Sequence, residues 1–175
     1  AVILALHGFN DYSNAFDAPA RFLAGRGIAT YAFDQRGFGA APHIGIWPGI
    51  PTLTSDLAAL AAVLRDCHPD TPLYLLGDSM GGAVIMVALA NGGAPLSDGV
   101  ILAAPAVWGR RHMNPLQNGA LWLLAHTMPW FTLTGEGLNI KPSDNIPMLR
   151  KLGRDPKVIK RTRVDAIWGL VNLMD

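Results

Sequence analysis

Residues 77–82, Gly77-Asp78-Ser79-Met80-Gly81-Gly82, hold one hydroxyl between glycines two positions away on either side. A serine in that spacing can act as the nucleophile of an acyl transfer, provided the chain bends sharply enough to lift its oxygen clear. Upstream, Leu73 to Leu76 reads as a buried strand; downstream, Ala83 to Ala90 repeats apolar residues at helical spacing. A side chain at 77 or 81 would crowd so tight a strand-to-helix turn, which accounts for both glycines. A helix starting at Met80 would aim free N–H groups and its positive dipole end at the serine, where an oxyanion would form. The pattern is that of a nucleophile elbow.

The segments that must position this serine alternate in character. Ala1 to Leu6 is a continuous apolar run, as a parallel strand covered on both faces requires, and it ends in the turn signal His7-Gly8-Phe9-Asn10. Asn14 to Arg26 reads as a helix with Phe16, Ala20, Leu23 and Ala24 on one side, stopped by Gly25 and Gly27. Ile28 to Phe33 is a second strand, followed by the loop Asp34-Gln35-Arg36-Gly37-Phe38-Gly39 and an irregular stretch over 40–51. Thr52 to Cys67 is the clearest helix, with Leu57, Leu60, Ala61 and Leu64 in register. The helix after the elbow is closed by Asn91-Gly92-Gly93, and Val100 to Ala104 forms a fourth strand ending at Pro105. Such alternation implies an α/β fold, a parallel sheet with right-handed crossovers and helices on both faces. Beyond Pro105 the beat stops, and helices are expected over Leu116–Met128, Asn145–Leu152 and Pro156–Asp175.

The bulk properties exclude several classes. With 175 residues, half of them apolar, the chain can bury the core of one domain carrying an insertion. No apolar run reaches the 18 or so residues of a membrane span. The single Cys67 rules out an internal disulfide and a multi-thiolate metal site, and a packing role is expected for it. The five histidines are scattered without ligand spacing, so no metal is expected. Gly37-x-Gly39 lacks a third glycine and opens no helix, so no dinucleotide is expected and no cofactor is implied. A net charge of +1 without aromatic–basic interleaving argues against nucleic acid. That balance conceals a division: residues 1–109 carry a net −4 and residues 110–175 a net +5. The basic part could face anionic lipid or substrate, although a solvated helix face is the commoner meaning of such a run.

His7-Gly8 after the first strand, Asp34-x-Arg36-Gly37-x-Gly39 after the second and Gly77-Asp78-Ser79-Met80-Gly81 after the third together resemble the α/β-hydrolase fold. Within it, the chain is similar to the monoacylglycerol lipase and lysophospholipase group of serine hydrolases (serine aminopeptidase S33 type). The resemblance implies a three-layer α/β sandwich with a partial parallel sheet of about four strands over residues 1–105. Residues 106–175 resemble that group's helical cap, as does the segment from Lys141-Pro142-Ser143-Asp144 to Asp155-Pro156. It also implies Ser79 as nucleophile, with the main-chain N–H groups of Phe9 and Met80 as the oxyanion hole. His7, Gly8, Asp34, Arg36, Gly77 and Gly81 are then structural, with Asp34 and Arg36 expected as an ion pair.

In that family an acid and then a histidine follow the serine, on strands beyond the cap. Only His112 and His126 follow Ser79 here, and cap-surface or helix-packing roles are expected for both. Two strands that precede the first one in the family are likewise expected to lie outside these residues. The expectation is therefore the middle of a longer hydrolase, inactive by itself because the catalytic acid and base lie elsewhere. A small lipid or ester is the implied substrate. Leu116, Leu121, Trp122, Leu123, Leu124, Trp130 and Phe131 could line an acyl channel or form the cap's own core, and the cap could touch a membrane surface transiently. Peptidase, thioesterase or haloperoxidase chemistry on the same fold, or a pseudo-hydrolase that only binds, are the alternatives. Acyl length, head group and oligomeric state are not legible; the compartment is open too, with the cytoplasm favoured and an N-terminal segment expected to be missing.

Overall fold

The computed structural model describes residues 1–92, 97–135 and 143–175. Gly93 of the expected helix stop and Lys141-Pro142 of the expected cap segment lie outside them.

Strand β1 (Val2–Leu6) is the centre of the core, with all five residues buried. It pairs in parallel with β2 (Ala29–Ala32) on one side and β3 (Leu73–Asp78) on the other, and β3 pairs in parallel with β4 (Gly99–Ala103). The order is β2-β1-β3-β4. Alternate residues of β1 serve opposite faces, as the two-residue pleat demands. Val2, Leu4 and Leu6 join Leu73 and Leu75 against α2 (Ile50–Cys67) and α3 (Met80–Ala90). Ile3 and Ala5 meet Phe16 and Leu23, from the 3-10 turn Ser13–Phe16 and the helix α1 (Asp17–Ala24). The single helix expected over Asn14–Arg26 is thus two pieces. The expected parallel α/β sandwich is present.

The helix α2 buries Leu53, Leu57, Ala61 and Leu64 at helical spacing, much as its sequence predicts. Cys67 departs from expectation. It is exposed in the last turn, past the end of that apolar stripe, and does not pack. The outer strands are open: β4 exposes Val100, Ile101 and Leu102 by 37–46%, so its apolar residues lie on an uncovered edge.

Residues 106–175 are less helical than their sequence suggests. Helices α4 (Pro115–Thr127), α5 (Ile146–Arg154) and α6 (Val164–Leu173) form, α4 opened by a reciprocal Asn114–Gln117 capping box. The helix expected from Pro156 begins only at Val164. Ahead of it, β6 (Arg161–Arg163) pairs antiparallel with β5 (Thr132–Thr134), a ribbon the sequence reading missed. Three-residue strands reading Thr-Leu-Thr and Arg-Thr-Arg carry no usable period; pairing across the chain creates them.

Helix α6 joins the two parts. Val164 and Val171 pack with Leu121 of α4, whereas Leu173 and Leu170 reach the main core. Gly169 makes that approach possible, since a Cβ there would lie 2.3 Å from Nε1 of Trp47. Gly169→Ala is accordingly expected to lose about 1–3 kcal/mol of stability in urea unfolding. Adding Trp47→Ala should make the double variant less unstable than the two losses summed, and strict additivity would refute the contact.

Candidate active site

Ser79 sits at the junction of β3 and α3 with φ 49° and ψ −112°, left-handed backbone that serine rarely adopts. Such a residue costs of order 1–3 kcal/mol and persists only when its surroundings hold it. Here its N–H donates to the Ala103 carbonyl at 3.0 Å, while its own carbonyl accepts from Ala106 at 2.9 Å and Ala83 at 3.2 Å. The glycines allow the turn to close. A Cβ on Gly77 would lie 2.5 Å from the nitrogen of Gly82, and one on Gly81 only 2.2 Å from the Leu6 carbonyl oxygen. Met80 is buried at the first position of α3, where an amide has no carbonyl of its own helix to bind.

The loop leaving β1 runs beside this turn: a Cβ on Gly8 would stand 3.5 Å from Cβ of Ser79 and 3.1 Å from Oδ2 of Asp78. His7 is fully buried, and its Nε2 accepts the Gln35 N–H at 3.0 Å. The proton must therefore sit on Nδ1, which donates to the Gly8 carbonyl at 2.8 Å. That carbonyl also accepts the Asp11 N–H at 3.3 Å. Since Gly8 C=O and Phe9 N–H share one trans peptide plane, fixing the oxygen fixes the N–H on its opposite side. The Phe9 ring is anchored edge-on to Phe38 at 5.7 Å, and Phe38 in turn to His7 at 5.6 Å.

Asp34 and Arg36 do not form the expected ion pair. Asp34 accepts the N–H groups of Ser13 at 3.0 Å and Ala40 at 2.6 Å, tying two loops together, whereas Arg36 reaches Asp56 on α2 at 2.7 Å. Burial would raise the Asp34 carboxyl, but those donated bonds outweigh it and leave the group below the usual carboxylate value. Residues two apart in a loop diverge, and each finds a partner on another element. Asp78, beside Ser79, is pushed up by burial and then by the Asp11 carboxylate.

His112 stacks on Trp108, and His126 lies between Trp122 and Trp168 with Nδ1 bonded to the Trp122 carbonyl. Among the described residues, no imidazole or carboxylate is hydrogen-bonded to Ser79. Of the apolar residues expected in a channel or core, Leu121 and Leu124 join the cluster with α6. Leu116, Trp122, Leu123, Trp130 and Phe131 are exposed. No group of three metal-ligating side chains gathers among the described residues.

A family profile described as serine aminopeptidase, S33, matches residues 1–175. The chain belongs to that family of hydrolases. This S33 hydrolase chain is 23% identical to a monoacylglycerol lipase of Mycolicibacterium smegmatis, over 94% of its own length and 55% of the relative's. It is 28% identical to a monoglyceride lipase of Mus musculus, over 76% of its length and 43% of the relative's. In fold it resembles a soluble variant of monoglyceride lipase from Saccharomyces cerevisiae, solved with a substrate analog, at TM-score 0.81 and 23% identity. That match covers 99% of this chain and 59% of the other. The S33 chain spans about half the length of the curated relatives it matches.

The structure adds residues the sequence reading passed over. Gln35, 1% exposed, grips His7 through both its backbone N–H and its side chain, whose Nε2 donates to the His7 carbonyl at 2.9 Å. In sequence it is a lone glutamine between two charged residues, with no motif or period to mark it. Burial first of all keeps His7 below its ordinary pKa of 6.5. An unfolded chain would therefore take up a proton below about pH 6.5 that the folded one refuses, so the His7 contribution to stability is intact above that pH and declines below it. Long-range nitrogen NMR is expected to show an Nδ1–H tautomer that stays neutral as the pH passes down through 6.5; protonation at or above 6.5 would contradict the assignment.

Proposed function

We propose that the protein carrying this chain is a serine carboxylester hydrolase acting on monoacylglycerols or lysophospholipids. The observation that carries the proposal is the strained Ser79 turn at the start of α3, with the Gly8–Phe9 loop alongside it. Ser79 Oγ attacks the ester carbonyl and gives its proton to a histidine; the C–O bond breaks, the alcohol leaves protonated, and water then hydrolyses the acyl-serine. The charge on the tetrahedral oxygen is met by the main-chain N–H groups of Phe9 and Met80. His7 does not act as base, because both its nitrogens are engaged with the backbone. His112 and His126 have ring partners of their own. The acid–histidine pair is assigned to a part of the fold outside these residues, without which only weak residual catalysis is expected from the serine turn.

Residues 106–175 are read as a cap over a core of residues 1–105. The exposed Leu116, Trp122, Leu123, Trp130 and Phe131 suit an acyl chain or a transient contact with a lipid surface better than a peptide. The relatives named as monoacylglycerol and monoglyceride lipases support the ester reading over the peptidase reading that the family's description would allow.

In the full-length protein, a fluorophosphonate is expected to form one adduct, on Ser79, and Ser79→Ala to lower kcat on a long-chain monoacylglycerol by at least about 1,000-fold. Turnover of aminoacyl amides with no turnover of acylglycerols would replace the ester reading with a peptidase. An unlabelled Ser79 in folded protein would favour a binding role.

A further inference from the structure

The loop Gly8–Tyr12 is held on its core side by His7 and Phe38, as described, and on its other side by residues 155–162. Three bonds make the second attachment. The Ile159 N–H donates to the Asn10 carbonyl at 2.9 Å, the Asn10 Nδ2 donates to Thr162 Oγ1 at 2.7 Å, and the Tyr12 hydroxyl donates to Asp155 Oδ2 at 2.7 Å. Asn10, directly after Phe9, has φ 64°, a left-handed conformation that asparagine tolerates better than most residues. The far ends are themselves fixed. Asp155 Oδ1 accepts the Lys157 N–H at 2.9 Å, and Thr162 is paired with Leu133 in the two-stranded ribbon. The Asp155 bond also raises the Tyr12 phenol to about 12, consistent with a hydroxyl that stays a donor throughout the working pH range.

We propose that the segment Asp155–Thr162 is a strap that orients the oxyanion donor at Phe9, making Asn10, Tyr12, Asp155 and Thr162 positioning residues for the acyl-transfer step. This rests on the assignment of the Phe9 N–H to the oxyanion hole. The loop carries the donor and has one backbone bond of its own, from the Asp11 N–H to the Gly8 carbonyl, on the side away from the strap. Asn10, next to the donor, stands in left-handed backbone, and its carbonyl and side chain, with the Tyr12 hydroxyl, are satisfied by the strap rather than by the sheet. Donor placement to a fraction of an ångström is what oxyanion stabilisation requires, and loosening it weakens the transition state more than the bound ester. A strap of this kind makes esterase activity depend on how residues 106–175 sit against the core.

The test uses the full-length enzyme with Thr162→Val, Tyr12→Phe and the pair combined, each conserving side-chain shape. Expected are a kcat on a soluble p-nitrophenyl ester lowered about tenfold in each single variant and further in the double, with KM within about twofold. Binding of a trifluoromethyl ketone, which mimics the tetrahedral intermediate, should weaken by the same factor as kcat, and Thr162→Ser, which keeps the hydroxyl, should restore both. A wild-type enzyme that neither labels at Ser79 nor hydrolyses esters would overturn the hydrolase reading and the strap with it. An active wild type whose variants keep kcat and ketone affinity, or lose activity only in proportion to a lowered Tm, would overturn the strap alone.

Discussion

The backbone strain at Ser79 is the constraint on which the rest of this structure depends. A serine at φ 49° relaxes unless the chain on both sides is held, and three contacts from distant parts of the chain hold it. Strand β4 supplies the acceptor for its N–H, the chain just past β4 supplies a donor to its carbonyl, and β1 comes so close that only glycine fits at 81. None of these contacts is local in sequence. The sheet order β2-β1-β3-β4 is therefore a requirement of the turn: β3 must lie between the two strands whose ends fix the serine.

The same economy governs the loop after β1. Its orientation follows from a buried histidine whose two nitrogens are both committed, one to Gly8 and one to Gln35. Leaving either unpaired in so buried a place would cost about 1–3 kcal/mol, so the ring, the tautomer and the peptide plane beyond it are set together. Residues 155–162 complete the arrangement from the opposite side, and α6 carries the mechanical link, with Val171 packed towards α4 and Leu173 towards the sheet. The parts bearing net −4 and net +5 meet through apolar packing and backbone bonds here, beside the cross-connection from Tyr12 to Asp155.

Much of the fold was legible because its signals are short-range. A five-residue apolar run specifies a strand covered on both faces, the Leu57–Ala61–Leu64 spacing specifies the buried stripe of α2, and Gly77-x-Ser79-x-Gly81 specifies a turn too tight for side chains. The errors came where partners are distant. Asp34 and Arg36 look like an ion pair on paper, yet one carboxylate is drawn to the free N–H groups of Ser13 and Ala40 and the guanidinium to Asp56. The ribbon of β5 and β6 has no period to read, and the helix expected from Pro156 is replaced by a turn and bends over 156–160, bonded to Asn10 through Ile159, and then by β6.

What the sequence determined by itself is the four strands and main helices of residues 1–105 and their order, since residue spacing and turn chemistry act over a few positions and need no knowledge of the remainder. It also determined where a nucleophile could stand, because only glycine at two fixed offsets permits that bend. Tertiary structure alone decided which polar groups meet: Gln35 with His7, Arg36 with Asp56, Tyr12 with Asp155 across 143 residues. Hydrogen bonds and ion pairs act over about 3 Å, and sequence separation says nothing about which groups folding will bring within that reach.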